Sequence, residues 1–228
     1  HMIVTVEAQP NEHLIPNVHG FAERGVHPKS EKGWETVPLY QYIYHQYVQG
    51  FAGEDCGPFN TPDNFFLMLA ITLVSGDMLM INVGENGKIC QVTHEVHQYD
   101  QTVESVYPVE LVEEYIRCLN RLRREYARPF LVMGRMEKPP VIACETGKVL
   151  QAEFHRLSIP AVLGSSWTGP AGEKGTVLVN YTAKEQEIKV KLRYDAGNEV
   201  RVTDMHGNRS LLQTEDNGFS LVMQPYQA

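Results

Sequence analysis

The 228-residue sequence predicts an α/β section followed by an all-β section. Two textures support that expectation. Over the first half, strand-like runs alternate with capped apolar helices, the pattern of βαβ units around a parallel sheet. From about Met136 onward, short alternating runs are separated by Gly, Pro, Asn and Asp turns, as in a β-sandwich or barrel. The change falls between Arg135 and Pro140, giving an α/β section over 2–137 and an antiparallel β-sandwich over 138–228.

Met2–Glu7 (MIVTVE) alternates and is rich in β-branched residues, so it reads as the first strand. Ala8-Gln9-Pro10-Asn11 ends it. VPLYQYIYH, Val37 to His45, alternates with tyrosines on one side and reads as the second strand. DMLMINV, Asp77 to Val83, is a nearly continuous apolar run, the pattern of a third strand buried on both faces. Between the last two lies an apolar helix. Thr61-Pro62-Asp63 supplies its cap and first turn, and Gly76 follows its end. A longer amphipathic helix begins at Pro108, with Val109, Val112, Ile116 and Leu119 on one stripe, and stops at Pro129.

The remaining chain holds the strand candidates KPPVIA, VLQAEFHRL, AVLGSSWT, GTVLVNYT, QEIKVKLRY, NEVRVT, RSLLQ and GFSLVMQP. DMHGN reads as a hairpin turn between two of them. Val177, Val179, Ile188, Val190 and Leu192 should face inward. Leu178 breaks that alternation and should contact the α/β section.

Composition excludes several functions. The formal charge is −8, and Arg121, Arg123, Arg124 and Arg128 share a helix with Glu113, Glu114 and Glu125. That reads as a solvated helix face rather than a phosphate-binding one, so no nucleic-acid partner is expected. No apolar run is long enough to cross a membrane, and no leader precedes Met2, which favours a cytoplasmic location. Cys56, Cys90, Cys118 and Cys144 are scattered without a CxxC pair. HEVH at 94–97 spaces its histidines by three rather than the four of a helical zinc motif, and it reads as a surface loop with Glu95 and Asp100. No nucleophile elbow, phosphate loop or dinucleotide fingerprint is present. Neither a metal nor a cofactor is expected.

EKGTVLVNYTAKEQEIKVKL resembles a strand pair from the C-terminal sandwich of glycoside hydrolases. VPLYQYIYHQYVQGFAG resembles the seventh strand and following loop of the barrel in a group of glycosidase-like proteins. SGDMLMINV resembles the eighth strand, and MIVTVEAQPNEHLIP falls where the sixth would be. The resemblance implies a partial (β/α)8 barrel, its last three strands and their helices, followed by a β-sandwich. It implies a carbohydrate substrate and hydrolysis of glycosidic bonds by paired carboxyl groups. The alternative is a non-catalytic carbohydrate-binding or structural accessory piece.

Glu7, at the C-terminal end of a barrel-type strand, is the first candidate for one catalytic carboxylate, and Glu12 is the second. Glu7 should lie in a polar cleft near Tyr44 or His45. Trp34, Tyr44 and Tyr47 are either a wall for the apolar faces of a sugar or ordinary packing. His45 either hydrogen-bonds a sugar hydroxyl or is a satisfied loop histidine. Glu54 and Asp55 follow in a loop. Strands taken from a barrel would leave an open edge and uncovered apolar surface, so the chain should form a homodimer or associate with the rest of a barrel.

Overall fold

The computed structural model describes residues 3–7, 10–22, 38–53, 62–81, 107–151 and 155–228, with Val83, Gly87 and Ile89. Thr5–Glu7 (β1), Gly20–Ala22 (β2), Gln49–Gly53 (β3) and Met78–Met80 (β4) form a four-stranded sheet in chain order. Each neighbouring pair is parallel. Of the three strands the sequence predicts, two fall in this sheet, as β1 and β4. β2 is not predicted because GFA is too short to show a period.

Over residues 38–45 the expected strand is absent. Leu39–Tyr44 is an α-helix (α1), begun after Pro38, and the strand lies further on at β3. The helix buries Gln41 and His45, four residues apart, while Leu39, Tyr42 and Ile43 are exposed. Its buried positions are thus polar and its apolar ones face outward, the inverse of the usual stripe. Alternation of tyrosines then mimics a strand.

Pro62–Val74 (α2) forms as expected, and every residue from Phe65 to Leu73 is buried. A helix apolar all round must be covered all round. Here β3 and β4 pack on one side and the antiparallel strands of the second half on the other. The amphipathic helix runs over Val109–Arg121 (α3) and continues through a π-helical turn, Leu122–Tyr126. It meets α2 where the rings of Tyr115 and Phe66 lie edge to face, 5.0 Å apart. Pro129 does not end this helix. The break comes at Ala127, and Pro129 sits in the first turn of a short helix, Arg128–Leu131 (α4).

All further strands are antiparallel. They are Arg135–Glu137 (β5), Val141–Ala143 (β6), Thr146–Gln151 (β7), His155–Pro160 (β8), Val162–Thr168 (β9), Lys174–Asn180 (β10), Gln186–Lys191 (β11), Glu199–Thr203 (β12), Arg209–Gln213 (β13) and Gly218–Met223 (β14). They pair as β10–β9–β5 and β14–β11–β6, with β12–β13 and β7–β8 as hairpins. DMHGN is the β12–β13 turn, as its composition predicts.

Val177, Val179, Ile188, Val190 and Leu192 are all buried. They do not share one core. Val177 and Val179 face α2 and α3, whereas Ile188, Val190 and Leu192 pack in a second cluster with Val162 and Met223. Leu178 joins that second cluster rather than the α/β section. Successive side chains of a strand point to opposite faces, and β10 is covered on both.

Candidate functional site

The segment leaving β1 is fixed by its own side chains. Asn11 Oδ1 accepts hydrogen bonds from the backbone N–H groups of His13 at 3.1 Å and Leu14 at 3.2 Å. This local turn is the usual work of an asparagine. The Tyr40 hydroxyl donates to the Pro10 carbonyl at 2.8 Å, anchoring the segment to α1. Its ring packs between Phe21 and Tyr44, with centroid separations of 5.0 and 4.9 Å.

On that frame the Tyr44 hydroxyl donates to Glu12 Oε1 at 2.6 Å. Two residues singled out for different reasons, and 32 apart in sequence, therefore meet. The phenol hydrogen bond holds the Glu12 carboxyl below the usual carboxylate range, helped by a backbone hydrogen bond within Glu12. The same bond pushes the Tyr44 phenol up. Glu12 is thus an ionised, exposed carboxylate with a fixed neighbour, suited to act as a base or nucleophile rather than as an acid.

The other expected residues are placed differently. Glu7 ends β1, but its side chain lies outside the described residues, as do Trp34, Glu54, Asp55 and HEVH. Tyr47 is exposed. His45 lies at the end of a helix, not of a strand, and is only 3% exposed. Its ring stands edge-on to the buried Trp167, with centroids 4.7 Å apart.

His45 belongs to a buried polar network that sequence reasoning missed. Its Nδ1 and Nε2 each lie 3.1 Å from a carbonyl oxygen, of Gly134 and Gly76 respectively. Arg123 Nη2 donates to the same Gly76 oxygen at 3.1 Å and to Gln49 Oε1. Gln41 Nε2 donates to Asp77 Oδ2 at 3.3 Å. Asp77 and Arg123 are both buried; burial pushes the Arg123 guanidinium down, and Asp77 opposes that shift. The burial of Arg123 corrects the expectation that it belongs to a solvated helix face. Its signal was present: it lies four residues beyond Leu119 and seven beyond Ile116, on the apolar stripe of the helix. The network sits where β3 and β4 begin, and in parallel β/α sheets that end serves stability rather than chemistry.

A cleft of ≈ 850 Å³ opens elsewhere, between the π-helical turn, α4 and the antiparallel strands. Tyr126, Phe130 and Tyr194 are among its lining residues, with Glu125 and Asp195. Among the described residues, no helix is long and apolar enough to cross a membrane. The sequence matches no protein-family model, and neither a curated protein nor a solved structure is significantly similar to it.

Proposed function

We propose that the chain is a carbohydrate-active protein of glycoside hydrolase type, with its site where the parallel strands end. The parallel section is then part of a (β/α)8 barrel, and the two antiparallel three-stranded sheets are its sandwich. Four neighbouring strands that are parallel and follow chain order support this reading, since barrel staves are arranged that way. The Glu12–Tyr44 hydrogen bond carries it. Glycoside hydrolysis requires one ionised and one protonated carboxyl group. Glu12 supplies the ionised one, Glu7 is the proposed acid, and Tyr44 with Tyr47 walls the sugar.

The test is turnover of a panel of aryl glycosides by the wild-type chain and by Glu12→Gln. Loss of a carboxylate in acid–base work lowers the rate by about 100-fold or more. The melting temperature should hold, because an exposed side chain with no packing role contributes little to stability. An undiminished Glu12→Gln variant, or a wild-type chain that turns over none of the panel, contradicts the proposal.

The aromatic cleft favours a second reading, the non-catalytic one. Tyr126, Phe130 and Tyr194 line a concave surface, and aromatic faces suit the apolar faces of sugars. Carbohydrate binding without turnover, lost in Tyr194→Ala and kept in Glu12→Gln, would favour it.

A further inference from the structure

We propose that Glu114, Cys118 and His206 bind one divalent transition metal of the zinc class, joining α3 to the β12–β13 turn. Glu114 and Cys118 lie four residues apart on α3, and the ligand atoms of all three residues lie within 4.8 Å of one another. Cys118 Sγ is 3.6 Å from His206 Nδ1 and 3.1 Å from Glu114 Oε1. Tetrahedral zinc, with Zn–S of about 2.3 Å and Zn–N or Zn–O of about 2.0–2.2 Å, sets its donor atoms about 3.5 Å apart. The sulfur–nitrogen separation already fits. The carboxylate needs only a small outward rotation, which an exposed glutamate permits.

Both halves of the site are held in place. Asp204 Oδ1 accepts from the backbone N–H of His206 at 2.9 Å and of Asn208 at 2.8 Å. Gly207 has φ +89°, and a Cβ there would strike the Tyr126 hydroxyl, so the turn is seated closely against the π-helical segment. Met205 is buried, and its N–H donates to the Ala228 carbonyl at 2.9 Å. On the helix side, Arg117 pairs with Glu114 Oε2 and leaves Oε1 turned toward the sulfur. A carboxylate ligand is commonly oriented by such an outer partner.

The donor set selects the metal. Thiolate with imidazole suits zinc-class ions, whereas magnesium and calcium take oxygen ligands. Three protein ligands leave a fourth position for water, reached from the side where Glu114 and His206 are exposed. The alternative, a cysteine–histidine nucleophile, fits poorly. Cys118 is fully buried and its S–H is directed at Glu114 Oε1, whereas a reactive thiol needs partial exposure beside a cation. On binding, the metal takes the sulfur electron pair, the S–H bond breaks and its proton passes to the buffer. Nothing is oxidised or reduced. Sequence spacing concealed the site, because His206 stands 88 residues from Cys118.

The test titrates the reduced full chain with cobalt(II), then with zinc(II). One equivalent of cobalt should give thiolate-to-metal charge transfer with d–d bands of four-coordinate intensity, and zinc should bleach both. Cys118→Ser should abolish the charge transfer. His206→Ala should weaken cobalt binding by more than the about 10–100-fold that losing an outer-shell partner costs. His206 is exposed, so that variant remains decisive even where Cys118→Ser fails to fold. A six-coordinate cobalt spectrum without charge transfer overturns the proposal. So does a charge-transfer signal kept in His206→Ala and lost in His94→Ala or His97→Ala.

Discussion

Arg123 reaches across from the π-helical turn to the Gly76 carbonyl, with Nη2 at 3.1 Å and Nε at 3.4 Å. A buried guanidinium thus closes the turn between α2 and β4 and balances the buried Asp77 carboxylate. Removing the guanidinium leaves the buried Gly76 carbonyl and Gln49 Oε1 without their charged donor, at a cost of about 1–3 kcal/mol. Arg123→Met should therefore lower the urea midpoint by a corresponding amount, with Arg123→Lys recovering only part, since a point charge cannot reproduce the planar fork. A loss below about 1 kcal/mol would show that these hydrogen bonds carry little.

His45 gives the fold an acid-side weakness. Burial, the dominant cause, pushes its imidazole below the ordinary 6.5, with Arg123 adding to that and the Gly76 and Gly134 carbonyls opposing it. Between the folded value and 6.5, the unfolded chain binds a proton that the native chain does not. Stability then falls as pH is lowered through that window and levels off below the folded value. The charge acting on the imidazole is that of Arg123. His45→Gln should be less stable than wild type at pH values well above 6.5, and the difference should shrink on acidification through the window. Urea melts of both proteins across that range check this, and a constant difference would refute it.

Tyr44→Phe removes the main cause of the depressed Glu12 carboxyl. The Glu12 pKa should rise toward the ordinary carboxylate value, and the acid limb of any pH–rate profile should move up with it. Carboxyl-carbon NMR titration reads the shift directly. An unchanged Glu12 titration would mean that the hydrogen bond does not persist in solution.

Self-association remains the expected state. Leu39, Tyr42 and Ile43 make an exposed apolar face on α1, and β1 and β4 are each paired on one side only among the described residues. A second copy is the proposed cover, since one apolar face can meet its own symmetry mate. Light scattering should report a dimer, and Ile43→Glu should shift it to monomer. A monodisperse wild-type monomer would refute this.

The sequence made legible those elements whose burial followed their polarity. α2 and α3 showed helical spacing, and the later strands alternated between marked turns. It failed where burial and polarity parted. α1 hides Gln41 and His45 and exposes Leu39 and Ile43, so its period points to the wrong element. Asp77 reads as an ordinary residue at the start of a strand, although it is buried and accepts a hydrogen bond from Gln41. Glu12 and Tyr44 were each visible as chemistry, but their contact depends on Tyr40 tying α1 to Pro10. No local spacing encodes that.

The most direct test of the Glu12–Tyr44 site is backbone NMR of the labelled chain titrated with a mixture of short oligosaccharides. The largest shifts should fall on Asn11–Leu14 and Tyr44–Tyr47, and Glu12→Gln should reduce them. Shifts confined to Tyr126, Phe130 and Tyr194, or no shifts at all, would contradict the site.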